Sequence, residues 1–514
     1  MIDVRSMMRR AAEFNADRVA VVAGDRRLTF AEAWSRGLRL ANALTAQGVE
    51  PGDRVAVLED NRLESSDFFV ASTAGGFVRV PLYRRNSREA HRHMLASTGA
   101  RAVVVEPDYV HEIEGLTDDV DSLEAVIVRD DGYESWLAGF PADDPDPPLA
   151  LDDVYIIRFS AGTTGRPKGV TYTHRGWASA MRDWFYQLPP VNPGDTCLHV
   201  GPISHGSGYL FTPVWIAGGT NVLEPAFDPA ATVEAMQRHR IAYMFMVPTM
   251  VQAMARVPGI DECDWSFFKA AVISAAPISP ATARRGREIF GMTLYQLYGQ
   301  TEAVPAAFMG PHEWFAADVP GSDPLAACGR VMPFAEVEIR DADNRPLPPG
   351  EEGEIAIRNE GQMVGLWGDE EATSERIVDG WVLTGDIGRL DRNGYLYISD
   401  RKDDLIISGG FNIWPLELER VIAEDPRILE VAVFGVPDEK WGETPLALCV
   451  VADPAAVSEE EIGALCAERL GSYKKPGRVV FQTDPLPKSV VGKLQRKVLR
   501  EPYWSGQERR VGGS

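Results

Sequence analysis

The sequence predicts an α/β protein with largely parallel sheets, followed by a β-rich stretch and an α+β C-terminal part. The chain has 514 residues, which at about 150 residues per domain indicates more than one domain. In the first third, short β-branched runs alternate with amphipathic segments, as in α/β folds. After about residue 325, turn-forming sequences separate short strands, which predicts a meander or small barrel.

The N-terminal alternation begins with a strand and a helix. Thr29 and Glu32 form a capping box, and Trp34, Leu38 and Leu44 continue the apolar face of the helix that follows. Predicted strands in this region are Val19–Val22, Arg54–Leu58, Ala102–Val105, Ala125–Val128 and Asp153–Phe159.

The second half changes character twice. The β-rich stretch contains predicted strands at Val337–Ile339, Gly353–Ile357, Trp381–Thr384 and Tyr395–Ile398. The α+β part contains helices at Pro415–Glu424 and Glu459–Arg469 and strands at Ile428–Val436 and Pro445–Val451. These patterns place a domain boundary near residue 400.

Composition and charge restrict the partners. Hydrophobic residues make up 45% and charged residues 25% of the chain, which is ordinary for a soluble globular protein. The formal charge of −23 disfavours nucleic acid and anionic lipid as partners. The first residues lack the apolar run of a signal peptide, and no stretch approaches the roughly 20 apolar residues of a membrane span. Together with five scattered cysteines, this predicts a cytoplasmic protein with reduced thiols and no integral membrane association.

A loop rich in glycine and threonine follows the predicted strand Asp153–Phe159. Its sequence runs Ser160-Ala161-Gly162-Thr163-Thr164-Gly165-Arg166-Pro167-Lys168-Gly169-Val170. Glycines let backbone N–H groups approach an anion, threonines add hydroxyl donors and Lys168 adds positive charge. Lys168 stands between Pro167 and Gly169, so the loop is not a Walker motif. The pattern predicts a phosphate site.

Five further motifs follow in order. They are Tyr298-Gly299-Gln300-Thr301-Glu302, Leu383-Thr384-Gly385-Asp386, Asp400-Arg401-Lys402-Asp403, Ser408-Gly409-Gly410-Phe411-Asn412, and Leu486-Pro487-Lys488 through Gly492-Lys493. With the Ser160–Gly169 loop, they make the chain resemble the adenylate-forming superfamily of acyl-CoA synthetases, luciferases and nonribosomal adenylation domains. The resemblance covers roughly residues 20 to 500 and is closest to stand-alone acyl-CoA ligases.

The resemblance implies a fold and a reaction. An N-terminal AMP-binding domain would span residues 1–399, with two α/β sheet subdomains and a small β-barrel at about 325–399. A hinge at 400–403 would carry a mobile C-terminal lid domain, 404–514. Such enzymes join a carboxylate to ATP with Mg²⁺, release pyrophosphate and pass the acyl group to a thiol such as that of coenzyme A. A carboxylate is already a nucleophile, so the first step needs positioning and charge neutralisation rather than a general base.

The resemblance also assigns nucleotide contacts. It implies a phosphate grip by Ser160, Gly162, Thr163, Thr164, Gly165 and Lys168, and an adenine site formed by Ser274, Ala275, Ala276, Pro277, Tyr298 and Gly299. Thr301 would contact the α-phosphate and Glu302 would coordinate Mg²⁺. Asp386 would bind the ribose hydroxyls, with Arg401 facing ribose and phosphate.

Three further assignments concern the two half-reactions. Lys493 would bridge the carboxylate and the α-phosphate during adenylation, stabilising charge that develops in the transition state. Rotation about Asp403 would then remove Lys493 and bring in Ser408, Gly409 and Gly410 to admit a pantetheine arm. His205 would gate the acyl pocket and the thiol tunnel.

The sequence restricts the class of the carboxylic acid substrate but does not identify the acid. Gly201–Tyr209 carries no acidic residue, which disfavours an amino acid substrate. Tyr243, Phe245, Met246 and Ala303 are predicted to line an apolar pocket suited to a fatty or aryl acid.

Alternatives remain for the acceptor and for the activity. Besides coenzyme A, the acceptor could be a carrier protein or a non-thiol nucleophile, as in biosynthetic relatives that activate unusual oxyanions such as nitrite. A nucleotide-binding protein without chemistry is disfavoured because Lys168, Glu302, Asp386, Arg401 and Lys493 are all present.

Overall fold

A computed structural model describes residues 2–161, 167–401, 404–408, 411–438, 440–488 and 494–504. Within them the strands, numbered in chain order, are β1 Val19–Ala23, β2 Arg26–Thr29, β3 Arg54–Leu58, β4 Val78–Pro81, β5 Ala102–Val105, β6 Ala125–Val128, β7 Val154–Ala161, β8 Pro167–Thr173, β9 Thr196–His199, β10 Thr220–Leu223, β11 Tyr243–Met246, β12 Ala270–Ile273, β13 Leu294–Gln300, β14 Ala303–Met309, β15 Gly329–Arg330, β16 Ala335–Arg340, β17 Glu352–Asn359, β18 Gly365–Leu366, β19 Ile377–Val378, β20 Trp381–Leu390, β21 Tyr395–Arg401, β22 Ile406–Ser408, β23 Phe411–Ile413, β24 Ile428–Asp438, β25 Gly442–Val451 and β26 Arg478–Gln482.

The helices follow the same order. They are α1 Val4–Phe14, α2 Phe30–Ala46, α3 Ser65–Ala74, α4 Arg88–Thr98, α5 Val110–Ile113, α6 Leu116–Asp119, α7 Tyr133–Ala138, α8 His174–Gln187, α9 Gly208–Ile216, α10 Pro229–Arg238, α11 Pro248–Met254, α12 Pro280–Phe290, α13 Pro311–Trp314, α14 Glu370–Arg376, α15 Pro415–Ile422, α16 Glu459–Leu470 and α17 Arg496–Arg500. No helix of the described ranges combines the length and apolar content needed to cross a bilayer.

Two large sheets form the N-terminal part. A seven-stranded sheet has the order β18-β8-β7-β4-β3-β5-β6, and an eight-stranded sheet has the order β14-β13-β12-β11-β9-β10-β1-β2. Their central strands pair in parallel, whereas β7–β8 and β13–β14 are antiparallel pairs. A core that includes Val4, Phe69, Ile156 and Trp215 packs residues of both sheets against α1, α3 and α9. The predicted α/β fold class is confirmed.

Two smaller sheets complete the chain. Strands β15-β21-β20-β17-β16, with β19 beside β20, form an antiparallel sheet, whose pairing does not close into a ring among the described residues. Strands β23-β22-β25-β24, with β26 beside β25, form the last sheet. The chain passes from one sheet to the other between Arg401 and Ile406, close to the predicted boundary near residue 400. The division into domains stays a prediction.

The local signals at the start of the chain are partly confirmed. The Thr29 hydroxyl accepts the Glu32 N–H, and the Glu32 carboxylate accepts the Thr29 N–H, so the capping box opens α2 as predicted. Strand β2, immediately before it, was not predicted. It is a polar edge strand antiparallel to β1 with Arg26 and Arg27 exposed, and it therefore lacks the apolar alternation by which strands are recognised.

A buried carboxylate joins the last two sheets. Asp400, near the end of β21, accepts the backbone N–H of Leu416 in the first turn of α15 at 2.7 Å. Trp414 lies at the N-cap of α15 without a side-chain capping bond, so Asp400 provides the cap from another element. Burial raises the pKa of Asp400 to about 7, and the nearby Arg496 guanidinium acts in the opposite direction.

We expect this carboxylate to make stability depend on pH. Because the pKa of Asp400 is raised on folding, its stabilising contribution is complete below about pH 4 and is lost as the pH rises through about 7. The loss is on the order of 4 kcal/mol at 1.36 kcal/mol per pKa unit. Asp400→Asn cannot titrate, so its apparent unfolding temperature should gain on the parent's between pH 5 and pH 8.

Asp425→Asn is the matched control. The Arg427 side chain lowers the pKa of Asp425, so this variant should gain nothing on the parent over the same pH interval. If Asp400→Asn and the parent lose stability in parallel between pH 5 and pH 8, Asp400 does not titrate in that interval.

Candidate functional site

The turn between β13 and β14 carries Thr301 and Glu302. The Tyr172 hydroxyl of β8 donates to the Thr301 carbonyl at 2.7 Å, and the Met363 N–H donates to the Glu302 carbonyl at 2.8 Å. The Ser160 hydroxyl at the end of β7 donates to Glu302 Oε1 at 3.0 Å. Two predicted site residues from different sheets therefore meet, with Glu302 only 8% exposed.

A second cluster surrounds Asp386 on β20. Its Oδ2 atom accepts the Tyr298 hydroxyl at 2.7 Å and the Gln300 side-chain amide at 2.6 Å. Burial, with Asp386 adding to the effect, raises the pKa of Tyr298 well above its usual value, so the hydroxyl stays a donor. Gly385, with φ at +69°, adopts a backbone conformation that favours glycine immediately before the carboxylate.

Two predicted cationic site residues, Arg401 and Lys168, each lie close to a different carboxylate. Arg401 faces Asp386 across the β20–β21 pair, with 3.3 Å between Arg401 Nε and Asp386 Oδ1, and about half of its side chain is exposed. Lys168 pairs with Ser160 across the β7–β8 hairpin. Its ammonium lies 3.6 Å from Asp369 Oδ2.

The predicted adenine shelf follows β12 directly. Ser274 is buried, and its N–H donates to the Met246 carbonyl at 3.2 Å. Ala275 has φ at +72°, a left-handed conformation that is uncommon for a residue with a Cβ atom. The backbone thus turns sharply at the position where the prediction places the base. Contacts of this shelf and of Tyr298 with adenine stay predictions.

The His205 loop is held by residues remote in sequence. The Asn61 amide donates to the carbonyls of His199, Gly201 and Glu224, and its oxygen accepts the Ile203 N–H. His205 packs edge-on against Tyr83 with ring centroids 5.2 Å apart.

Gly206 sets the approach of this loop to β11. A Cβ atom there would lie 2.9 Å from the Phe245 ring, so a glycine lets the loop reach that ring. Phe245 is thereby placed beside the predicted gate.

The predicted acid pocket residues divide between two faces of β11. Phe245 is half-buried beside Gly206, and Tyr243, on the same face, donates its hydroxyl to the carbonyls of Pro189 and Pro190. Met246 lies on the opposite face in a core with Met244 and Ile273. Strand alternation prevents Met246 and Phe245 from lining one cavity. Ala303 is buried in the core near Tyr298.

Several predicted residues lie outside the described residues. They are Gly162, Thr163, Thr164 and Gly165 of the phosphate loop, Asp403 of the hinge, Gly409 and Gly410 of the tunnel loop, and Lys493. Ser408 is described and ends β22, opposite Phe411 and Gly442. Its place in a thiol tunnel stays a prediction.

The residues around Glu302 fit a magnesium ion whose other ligands would be mainly phosphate oxygens of the nucleotide. No group of three or more His, Cys, Asp or Glu side chains in the described ranges could hold a metal by itself. Mg²⁺ in phosphoryl-transfer sites is bound by one or two carboxylates together with phosphate oxygens. Glu302, beside the Ser160 hydroxyl, would provide that carboxylate.

Gln300 and Asn61 are the residues that sequence reasoning missed. Gln300 belongs to a motif but carries no predicted role, and its amide also donates to the Thr384 carbonyl at 2.9 Å. Alternation along β13 is the signal that could have found it, because it places Gln300 on the same face as Tyr298. No local pattern marks Asn61.

We expect Gln300 to position Asp386 for the ribose hydroxyls. Gln300→Leu removes a hydrogen bond to a charged group worth about 1.5–3 kcal/mol, so the KM for ATP should rise about 10- to 100-fold at 1.4 kcal/mol per tenfold. The kcat should change less, because the reacting atoms are untouched. Gln296→Leu, the same change four residues earlier on β13, is the control. Equal KM values for the two variants would contradict this role.

Comparisons with known proteins agree with this geometry. Residues 8–367 match the model of the family described as AMP-binding enzyme, and residues 417–493 match the AMP-binding enzyme C-terminal domain. A feruloyl-CoA synthase of Amycolatopsis is 34% identical over 96% of this chain and 98% of its own length. A fatty acid–[acyl-carrier-protein] ligase of Streptomyces coeruleorubidus is 32% identical over 96% and 95%.

A solved structure is similar over nearly the whole chain. The amide bond synthetase McbA of Marinactinospora thermotolerans has a TM-score of 0.86 at 29% identity, covering 97% of this chain and 100% of its own. The prediction of an AMP-forming enzyme of acyl-CoA ligase type, which uses ATP, Mg²⁺ and coenzyme A, is confirmed. The chain therefore belongs to the AMP-binding enzyme family.

Proposed function

We propose that this enzyme adenylates a hydrophobic aryl or fatty carboxylic acid at the Glu302–Asp386 site and transfers the acyl group to coenzyme A. The observation that carries the proposal is that Ser160 reaches Glu302 while Tyr298 and Gln300, on the strand just before Glu302, bind Asp386 on β20. The residues proposed for the phosphate end and those proposed for the ribose end would thereby be held at a fixed separation, because only two residues lie between Gln300 and β14.

The first half-reaction requires little more than this arrangement. Mg²⁺, when bound, supplies charge neutralisation on the triphosphate. Thr301 and Lys168 would contact phosphate oxygens, and Asp386 would accept the ribose hydroxyls. The attacking carboxylate needs no base, so the residues need only orient it in line with the leaving pyrophosphate.

The acid is proposed to be hydrophobic because of the surroundings of the His205 loop. Phe245, Tyr209 and Trp184 lie in one apolar cluster beside it, and the loop itself carries no acidic residue to bind an ammonium group. The names of the relatives, a feruloyl-CoA synthase and a fatty acid ligase, support the same two classes of acid.

The acceptor is proposed to be coenzyme A, with a carrier protein and an amine as alternatives. The feruloyl-CoA synthase favours coenzyme A, whereas the Streptomyces ligase and the amide bond synthetase favour the other two. Pyrophosphate release should be measured with aryl and fatty acids, with coenzyme A, a phosphopantetheinylated carrier protein or an amine added. Thioester formation only with coenzyme A supports the proposal, and amide formation without thioester contradicts it.

Lys493→Ala tests the proposed alternation of the C-terminal domain. Loss of a preorganised charge contact costs about 100- to 1,000-fold in rate, so ATP–pyrophosphate exchange should fall by about that factor. Thioester formation from a supplied acyl-adenylate should stay within roughly threefold of the parent, because the lysine is absent from that step.

Lys488→Ala controls for loss of charge in the same segment. The Lys488 ammonium lies 2.7 Å from Glu430, and this variant should retain both half-reactions. If Lys493→Ala impairs both half-reactions equally, the lysine does not alternate between them. If it impairs neither, Lys493 is a solvated surface residue.

A further inference from the structure

Asn61 joins the two large sheets at the start of the loop that carries His205. It follows β3 of the seven-stranded sheet, and it is only 3% exposed. Its side-chain nitrogen lies 3.0, 2.8 and 3.1 Å from the carbonyl oxygens of His199, Gly201 and Glu224, at the ends of β9 and β10. Ligands of parallel α/β sheets bind outside the carboxyl ends of the strands, so Asn61 connects the two sheets at the edge where a substrate would bind.

The segment that carries Asn61 is itself anchored. Glu59, two residues earlier, lies 2.6 Å from the buried guanidinium of Arg129, which directly follows β6. The Tyr109 hydroxyl donates to Asp60 at 2.9 Å. The Asn61 amide is therefore attached to a fixed base and cannot easily follow the loop if the loop moves.

A second contact holds the end of the same loop. His199 Nδ1 lies 2.8 Å from the Ser207 hydroxyl, and His199 Nε2 lies 2.8 Å from Asn221 Oδ1. Because that amide oxygen can only accept, the neutral ring carries its proton on Nε2 and accepts the Ser207 hydroxyl at Nδ1. The Asn221 amide nitrogen donates to the Phe211 carbonyl of α9. The three side chains thus form a continuous chain of hydrogen bonds from β10 to the loop.

This chain holds the loop and does not move a proton. A serine, a histidine and an asparagine in this order have the connectivity of a nucleophile, its base and an orienting group. Burial, however, lowers the pKa of His199 to about 4, although its hydrogen bonds with Asn221 and Ser207 act in the opposite direction. A base with such a pKa is poorly matched to neutral pH, and all three side chains are at most 3% exposed.

The two contacts act on the loop together. His199 belongs to both, because its carbonyl accepts the Asn61 amide and its ring accepts the Ser207 hydroxyl. We call Asn61, His199, Ser207 and Asn221 the loop clamp. It holds residues 199–203 and again residue 207, on either side of His205.

The position of the loop determines what lies beside the proposed acid pocket. His205 packs edge-on against Tyr83, whose hydroxyl donates to the Phe159 carbonyl of β7 at 2.8 Å. Gly206 allows the loop to approach the Phe245 ring of β11. A displaced loop would therefore move His205 relative to β7 and to the apolar side chains of β11.

We propose that the loop clamp positions His205 for the reaction of the acid, so that its four members are positioning residues that do not touch the substrate. This inference rests on the proposed function, which places the acid beside the His205 loop. The contacts to Asp386 come from β13 and not from this loop. Loss of the clamp should therefore impair the use of the acid and leave ATP binding intact.

Asn61→Asp replaces the amide nitrogen with an oxygen that faces three carbonyl oxygens, while the side chain keeps its size. The kcat/KM for the acid in ATP–pyrophosphate exchange should fall about 10- to 100-fold, because a displacement of about 1 Å can cost about 100-fold in rate. The KM for ATP should stay within about threefold of the parent, since its contacts are retained. The probe is whichever of cinnamate, benzoate and octanoate the parent adenylates fastest.

Asn42→Asp is the matched control. The Asn42 nitrogen also lies close to three carbonyl oxygens, at 2.9, 3.0 and 2.9 Å from those of Leu38, Pro141 and Asp143, but these belong to α2 and to the segment after α7. This variant should keep the kcat/KM for the acid and the KM for ATP of the parent. Amide hydrogen exchange over residues 201–209 should be faster in Asn61→Asp than in the parent and unchanged in Asn42→Asp.

Ser207→Ala covers the case in which Asn61→Asp does not fold, as judged by thermal unfolding. It removes one hydroxyl and leaves His199 Nδ1 without its donor, so the kcat/KM for the acid should fall about three- to tenfold at an unchanged KM for ATP. Ser72→Ala is the control, because the buried Ser72 hydroxyl donates to the Phe68 carbonyl within α3.

Two results would overturn the proposal. One is a kcat/KM for the acid in the clamp variants that equals the value in their controls. The other is a KM for ATP that rises in parallel with the loss, because the clamp would then serve only the stability of the fold. A parent that adenylates no aryl or fatty acid would instead refute the proposed function.

Discussion

The Asp386 carboxylate is the contact on which the geometry of the site depends. It belongs to β20 of the six-stranded sheet, yet its hydrogen bonds come from Tyr298 and Gln300 on β13 of the eight-stranded sheet. Because Gln300 is two residues from Glu302, the same bond sets the distance between the carboxylate proposed for ribose and the one proposed for Mg²⁺. A shift of β13 relative to β20 would therefore move both carboxylates, so the nucleotide would bind to side chains whose positions are already fixed.

The site must also bind an anionic triphosphate although the whole chain is strongly negative. With a formal charge of −23, the long-range field repels a triphosphate, but that field is screened beyond about 8 Å at physiological ionic strength. Binding therefore depends on short contacts. The two described cations of the predicted phosphate and ribose contacts, Lys168 and Arg401, each lie within 4 Å of a carboxylate, so backbone donors and the metal must supply much of the neutralisation.

Sequence reasoning succeeded where a signal is local. Strands β3, β5 and β6 have the predicted bounds because their β-branched runs are bounded by turn residues, and α2 begins at its capping box. It failed where the role of a side chain depends on a hydrogen-bond partner that is remote in sequence. Gln300 and Asp386 are 86 residues apart, and Asn61 binds a loop about 140 residues away.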